Sequence, residues 1–441
     1  MTTSKQTMRN PIQTTLFLSG LCSTLWGCGS LTEQQQPNEA GKNIADTTTY
    51  NITLSADNPY AARVTADTST LTSFELQPPR SNQRVENKLH PTFYCDDKPI
   101  ALGTQPRTVS CKQLRWSIFF KPRPELGVNP AAQQNIVSAT SSPWWLITEW
   151  DSLPRIANVK GTQVCATFGK EQHCKPFPTT DQPPLFMSVG NQLKEYSLGT
   201  LDVTLYSELE KEKADELMHK FVEISQYLYE VFPSNDSPSD NDNSWELTWL
   251  TKEKSSGHYG GAAGYHSFMA NYLQENGQPT AESDAILLRI SAHESVHVIS
   301  RLKLPGWAEE SLPQYYAFKA LNKLSVDDMT ALQFWQQTKE KTPHSQDSLY
   351  QAEQQIEENH DMSYFPLVYG KGAAFWNEVD NALQRNGEDL DSYISQLDQQ
   401  EFREGKLPTA FETSLQNGIG VKAWKKIKSD YLLANSEPVA S

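Results

Sequence analysis

The chain reads as an α+β protein: a β-rich N-terminal part, then a mixed strand and helix region, then a C-terminal helical bundle. Three observations predict this. Between residues 50 and 189 short β-prone runs alternate with Pro and Gly clusters, and helical periods are few. From residue 190 a strand, an amphipathic helix and a second strand lead into one long apolar helix. Beyond residue 324 the apolar spacing is helical. With 441 residues, the chain exceeds one ordinary domain and can bury a substantial core.

In order, Lys5 and Arg9 precede a short apolar stretch containing Leu16, Phe17, Leu18, Leu21 and Leu25. It falls short of the roughly 20 residues of a membrane-spanning helix, and residues 1–27 read as a signal peptide. Leu25-Trp26-Gly27-Cys28 resembles a bacterial lipobox, which implies lipidation of Cys28 and a place in the cell envelope, in the outer membrane or periplasm. Residues 28–49 are rich in Gln, Asn and Thr and read as a disordered tether. Within 50–189 the β-prone runs 50–54, 71–76, 114–120, 144–149 and 163–168 suit a β-sandwich-like domain. Setting aside Cys22 and Cys28, the even set Cys95, Cys111, Cys165 and Cys174 agrees with export. Their grouping suggests Cys95–Cys111 and Cys165–Cys174 disulfides, with other pairings open. None of the four pairs with His at a structural-zinc spacing.

Residues 201–206 alternate like a strand, 208–232 carry an amphipathic stripe through Leu217, Phe221, Ile224 and Leu228, and 245–250 alternate again. The Ser-, Asp- and Asn-rich segment 233–243 reads as a surface loop. Residues 284–302 predict a long helix, with Ser283 or Asp284 as its N-cap and Pro305-Gly306 as its stop. Further helices are expected at 325–341, 373–383, 390–397, 408–415 and 421–433. A formal net charge of −15 with 38 Lys+Arg and no basic block excludes nucleic-acid binding and electrostatic membrane binding, leaving the lipid as anchor. No repeat or heptad run points to an oligomer.

The chemistry sits in the long helix, at His293-Glu294-Ser295-Val296-His297. Residues four apart on a helix lie about 40° apart around its axis, so His293 and His297 present neighbouring imidazoles able to grip one metal ion. Neutral imidazoles suit zinc, and Glu294 stands where it can take the proton from a zinc-bound water. A tetrahedral catalytic site needs a third protein ligand from another element. Trp307-Ala308-Glu309-Glu310-Ser311-Leu312-Pro313-Gln314-Tyr315 offers two candidates, Glu309 and Glu310.

His-Glu-x-x-His followed by Trp-x-x-Glu and then Tyr is similar to the gluzincin zinc peptidases, most of all the aminopeptidase N and glycyl aminopeptidase branches. The resemblance implies a thermolysin-like catalytic domain over 190–324, preceded by a β-domain and followed by a helical region over 325–441. It implies zinc as cofactor, His293, His297 and Glu310 as ligands, and Glu294 as base. Tyr369-Gly370-Lys371-Gly372-Ala373 is similar to the family's Tyr-x-Lys-Gly-Ala segment and implies Tyr369 as oxyanion donor. Gly260 and Gly261 sit where the family has a Gly-rich segment lining the substrate cleft. Aminopeptidase N carries an amine-binding Glu there, which residues 257–266 lack, so the match supports a peptidase better than an aminopeptidase. Two departures are Ser311, where the family has Gly, and Pro313, which costs roughly 3 kcal/mol inside a helix and predicts a late start or a kink. The resulting expectation is a zinc-dependent peptide-bond hydrolase acting on peptides or proteins at the cell envelope. Its rivals are a catalytically inactive envelope lipoprotein using the same fold as a binding scaffold, and a metal-dependent hydrolase of some non-peptide amide or ester.

Overall fold

The structure, a computed structural model, describes residues 47–433 apart from 81–91, 104, 139–141, 151, 158, 160, 191–192, 199–200, 233–243, 301 and 398–401. The expected signal peptide, the expected lipidation site at Cys28, most of the expected tether and the expected loop 233–243 lie outside the described residues.

The first strand shows why the N-terminal part forms sheets. In Thr48–Leu54 the residues Tyr50, Ile52 and Leu54 face inward while Asn51 and Thr53 face solvent, the two-residue period of a half-buried strand. The strand therefore starts before residue 50 and takes in the last residues expected of the tether. It lies parallel to Thr162–Phe168 and antiparallel to Ala61–Asp67 within a seven-stranded sheet. That sheet runs Glu171–Pro176, Thr162–Phe168, Thr48–Leu54, Ala61–Asp67, Gln113–Phe119, Phe93–Cys95, Lys98–Ile100. A four-stranded sheet (Phe186–Gly190, Trp144–Thr148, Ile136–Ser138, Lys121–Pro122) and a three-stranded sheet (Arg155–Ala157, Phe74–Gln77, Arg107–Val109) share one apolar core with it. Cys95–Cys111 and Cys165–Cys174 are disulfides, with Cα–Cα separations of 5.4 and 4.0 Å. Cys165 and Cys174 are directly opposed in the hairpin of their two strands.

A fourth sheet runs Leu193–Leu198, Leu201–Ser207, Ser244–Glu253, Ser267–Glu275, Gly261–Gly264, and Gln278–Pro279 pairs beside Ser267–Glu275. Its three central strands are parallel and Gly261–Gly264 is antiparallel to its neighbour. Helix α1 (Lys211–Val231) makes the crossover between the first two parallel strands, and its Phe221 ring meets Trp245, Trp249 and Phe268 of the sheet. The sheet's other face meets the four-stranded sheet, where Trp144 stacks on Tyr206 with ring centroids 4.2 Å apart.

Helix α2 (Ser283–Ile299) is buried over most of its circumference. Glu282, not Ser283 or Asp284, is its N-cap; the Ser283 hydroxyl instead donates to the Leu273 carbonyl. The helix ends three residues earlier than expected, because Ser300 turns extended. Pro305 and Gly306 begin α3 (Gly306–Lys323) rather than stop α2: the fixed φ of proline suits an N-cap. Pro313 lies inside α3, whose helix neither starts late nor is interrupted there.

The remaining helices are α4 (Ala331–Thr338), α5 (Leu349–Asn359), the single turn α6 (Phe365–Leu367), α7 (Ala373–Gln384), α8 (Asp391–Leu397), α9 (Thr409–Ile419) and α10 (Val421–Tyr431). A π-helical turn, Val368–Gly372, joins α6 to α7. The helix expected over 325–341 is shorter. Ser325 has φ +56° just past the end of α3, and Thr330 makes the capping box with Gln333. Helix α5, absent from the sequence expectation, packs on α3.

Candidate metal centre

The sheet, α2 and α3 place four polar side chains where a core would normally be apolar. His293 and His297 project from α2 on one face, one turn apart, with Nε2 atoms 3.1 Å from each other. Glu310, in the first turns of α3, brings Oε2 to 3.4 Å from His293 Nε2 and 3.6 Å from His297 Nε2. Ligand atoms of the three lie within 4.8 Å of one another, and among the described residues they form the sole group of this kind. Two imidazole nitrogens and one carboxylate oxygen converging from two helices are a donor set that fits a divalent ion of zinc's class. Glu309, the competing ligand, is not part of the group.

Burial sets the electrostatics. It disfavours charge on His293 and lowers its pKa. It also acts against His297, but the hydrogen bond and charge of Glu310 overcome it and raise His297 to about 9. For Glu310 burial opposes ionisation, yet the two histidines hold it well below the usual carboxylate range. Glu294 is pushed up to about 8 by burial and the Glu310 charge, against the pull of His297 and of the Ala263 N–H that donates to it. A carboxyl group poised there exchanges protons near neutrality. Glu309 rises to about 7, through burial and then Glu310.

The Gly-rich edge strand lies directly on Glu294. A Cβ on Gly261 would come within 2.4 Å of Glu294 Oε1, so only glycine admits that carboxylate. The N–H and carbonyl of Gly260 are both taken by Asn271, at 3.2 and 3.1 Å. Tyr369, in the π-helical turn, donates its hydroxyl to Glu310 Oε2 at 2.7 Å, and its ring centroid is 5.7 Å from that of His293. Such turns mark functional positions more often than ordinary helix does.

Packing around α3 explains Ser311, one of the two departures from the expected pattern. The Ser311 hydroxyl accepts from Trp376 Nε1 at 2.9 Å, while Trp376 stacks on Trp307 at 5.8 Å. A Cβ on Gly372 would meet Ser311 Cβ at 2.5 Å, so the tyrosine-bearing turn approaches α3 by way of a glycine. Two further residues emerge only in three dimensions. Gln314 Oε1 lies 3.1 Å from His293 Nδ1, and Glu353 of α5 accepts the N–H groups of Gly306 (3.1 Å) and Trp307 (2.7 Å), capping α3 from outside it. Gln314 follows Glu310 by one helical turn, a spacing that could have pointed to it; Glu353 has no local signal.

No protein-family model and no curated protein matches the sequence. Solved structures do match. An aminopeptidase N family protein from Idiomarina loihiensis is 14% identical, with TM-score 0.58, over 89% of this chain and 77% of that one. An M1 zinc metallopeptidase from Deinococcus radiodurans is 12% identical, with TM-score 0.46, over 90% and 95%. A yeast LTA4 hydrolase bound to bestatin is 12% identical, with TM-score 0.44, over 93% and 72%. The chain shares the fold of the first: sheets in its N-terminal part, a helical C-terminal region, and the same α+β class.

Proposed function

We propose that the chain is a zinc-dependent metallopeptidase. The observation that carries this reading is the convergence of His293, His297 and Glu310 on one point, with the Glu294 carboxyl beside them, inside a fold shared with an aminopeptidase N family protein. His293, His297 and Glu310 would hold the ion. Bound there, zinc supplies Lewis acidity, which acidifies water and polarises a carbonyl. Glu294 accepts the proton of the attacking water at its carboxylate and returns it to the leaving amine. Its burial against Gly261 keeps bulk water from competing for that proton. The Tyr369 hydroxyl, already directed into the ligand cluster, donates to the oxyanion that forms on the peptide carbonyl.

Ser311 and Pro313 lend the inactive-scaffold alternative no support: the Ser311 hydroxyl is bonded to Trp376, Pro313 lies within an unbroken helix, and Glu310 keeps its place beside the histidines. Export fits the two disulfides, which persist in oxidising compartments. A lipid on Cys28 would anchor the enzyme to the envelope.

Glu294→Gln keeps the ligands and removes the base. The expected result is unchanged zinc content with peptidase activity on a peptide library reduced by about 10²–10⁴-fold. Normal turnover in that variant would refute the assignment.

A further inference from the structure

Gln314 is a neutral polar side chain in contact with a histidine of the ligand cluster, and its two ends are treated differently. Its Oε1 is 3.1 Å from His293 Nδ1, whereas its Nε2 is buried with no hydrogen-bond partner. The residue is 1% exposed, on the same face of α3 as Glu310 and one turn beyond it. On the other side of the His293 ring, Nε2 faces His297 Nε2 at 3.1 Å and Glu310 Oε2 at 3.4 Å.

From this arrangement we propose that Gln314 is a positioning residue which fixes His293 as its Nδ1-protonated tautomer, so that the Nε2 lone pair is aimed into the ion site. The inference rests on the metal-centre reading above. A carboxamide oxygen can only accept, so the ring nitrogen it faces must carry the hydrogen. The other nitrogen is then left bare, as metal ligation requires. Reversing the carboxamide would place its N–H₂ against Nδ1, force the hydrogen onto Nε2 and block the ligand atom. Leaving a buried amide group unpaired costs stability. That it is tolerated here indicates that the orientation serves His293. A neutral acceptor also differs from the carboxylate that often backs a ligating histidine. It holds the ring in place without adding a further carboxylate beside Glu294 and Glu310.

The test uses the full chain in its metal-free form. Long-range proton–nitrogen NMR on the wild-type protein should show His293 protonated at Nδ1; a ring protonated at Nε2 alone would overturn the proposal. Gln314→Leu, of similar volume but without an acceptor, should weaken zinc binding by about 10–100-fold in a chelator competition. It should also release the tautomer preference while the fold, followed by circular dichroism, is unchanged. Gln314→Glu, which restores an acceptor, should recover the affinity. Equal zinc affinity in wild type and Gln314→Leu, or a retained Nδ1 proton in that variant, would also refute it. Should Gln314→Leu not fold, the wild-type tautomer decides alone. A wild-type protein that binds no zinc would instead count against the metal reading, leaving the tautomer measurement to judge Gln314.

Discussion

Two regions of this molecule bury carboxylates, and they do so in opposite ways. In the N-terminal sheets Glu149 is wholly enclosed and fully matched: it pairs with Arg80 and with Arg155 at 2.6 Å, and it accepts the Leu185 N–H at 3.1 Å. Between α2 and α3, by contrast, Glu294, Glu309 and Glu310 act on two histidines, and among the described residues no Lys or Arg offsets them. The first arrangement is complete within the protein. The second leaves carboxyl groups in a poorly solvated place without permanently charged partners, so that Glu294 and His297 hold extra protons, the arrangement expected where a cation is to be bound.

The sharpest way to break this contrast is to remove the matched carboxylate. Glu149→Ala strands two buried guanidinium groups and should cost about 3–5 kcal/mol in chemical unfolding, leaving the affinity of the folded fraction for metal unchanged. A loss under 1 kcal/mol would mean that Glu149 is no more structural than the site carboxylates. Next in size, Tyr369→Phe should lower turnover by about 10²–10³-fold while sparing stability, if its hydroxyl serves the oxyanion. A variant with wild-type turnover would leave Tyr369 as packing alone.

A smaller effect separates the regions by pH. In the metal-free protein His297 is raised from 6.5 to about 9 and Glu294 from 4.5 to about 8, so the folded state holds both protons more tightly than the unfolded state. Each contribution is complete below the unfolded value and disappears as pH rises through the folded one. Glu309 and Glu353, both raised from 4.5 to about 7, act in the same direction. Glu310, depressed, contributes fully above 4.5 and is constant across this window. The metal-free protein should therefore melt several degrees lower near pH 9 than near pH 6. A melting temperature that rises over that range would contradict the site electrostatics.

The two regions also differed in how far the sequence revealed them. His293 and His297 were legible because a helix turns a four-residue spacing into one face, whereas Glu310 was singled out from Glu309 only by the resemblance of Trp307-x-x-Glu310 to the gluzincin pattern. Both disulfides followed from grouping. The β-rich class could be read from Tyr50, Ile52 and Leu54, whose alternation is local. Strand order could not, since the parallel neighbour of Thr48–Leu54 lies more than a hundred residues away. Helix α5 was hidden because its buried positions, Leu349, Ala352, Glu353 and Ile356, include a carboxylate whose partner is the start of α3. The resemblance placed Gly261 along the cleft, but its closeness to Glu294 was invisible, since that is a long-range contact between a strand edge and a helix.

Metal content tests the central claim most directly. Elemental analysis of purified protein should find one zinc per chain, lost in Glu310→Ala and retained in Glu309→Ala. Zinc absent from the wild type, or kept by Glu310→Ala and lost from Glu309→Ala, would contradict the account.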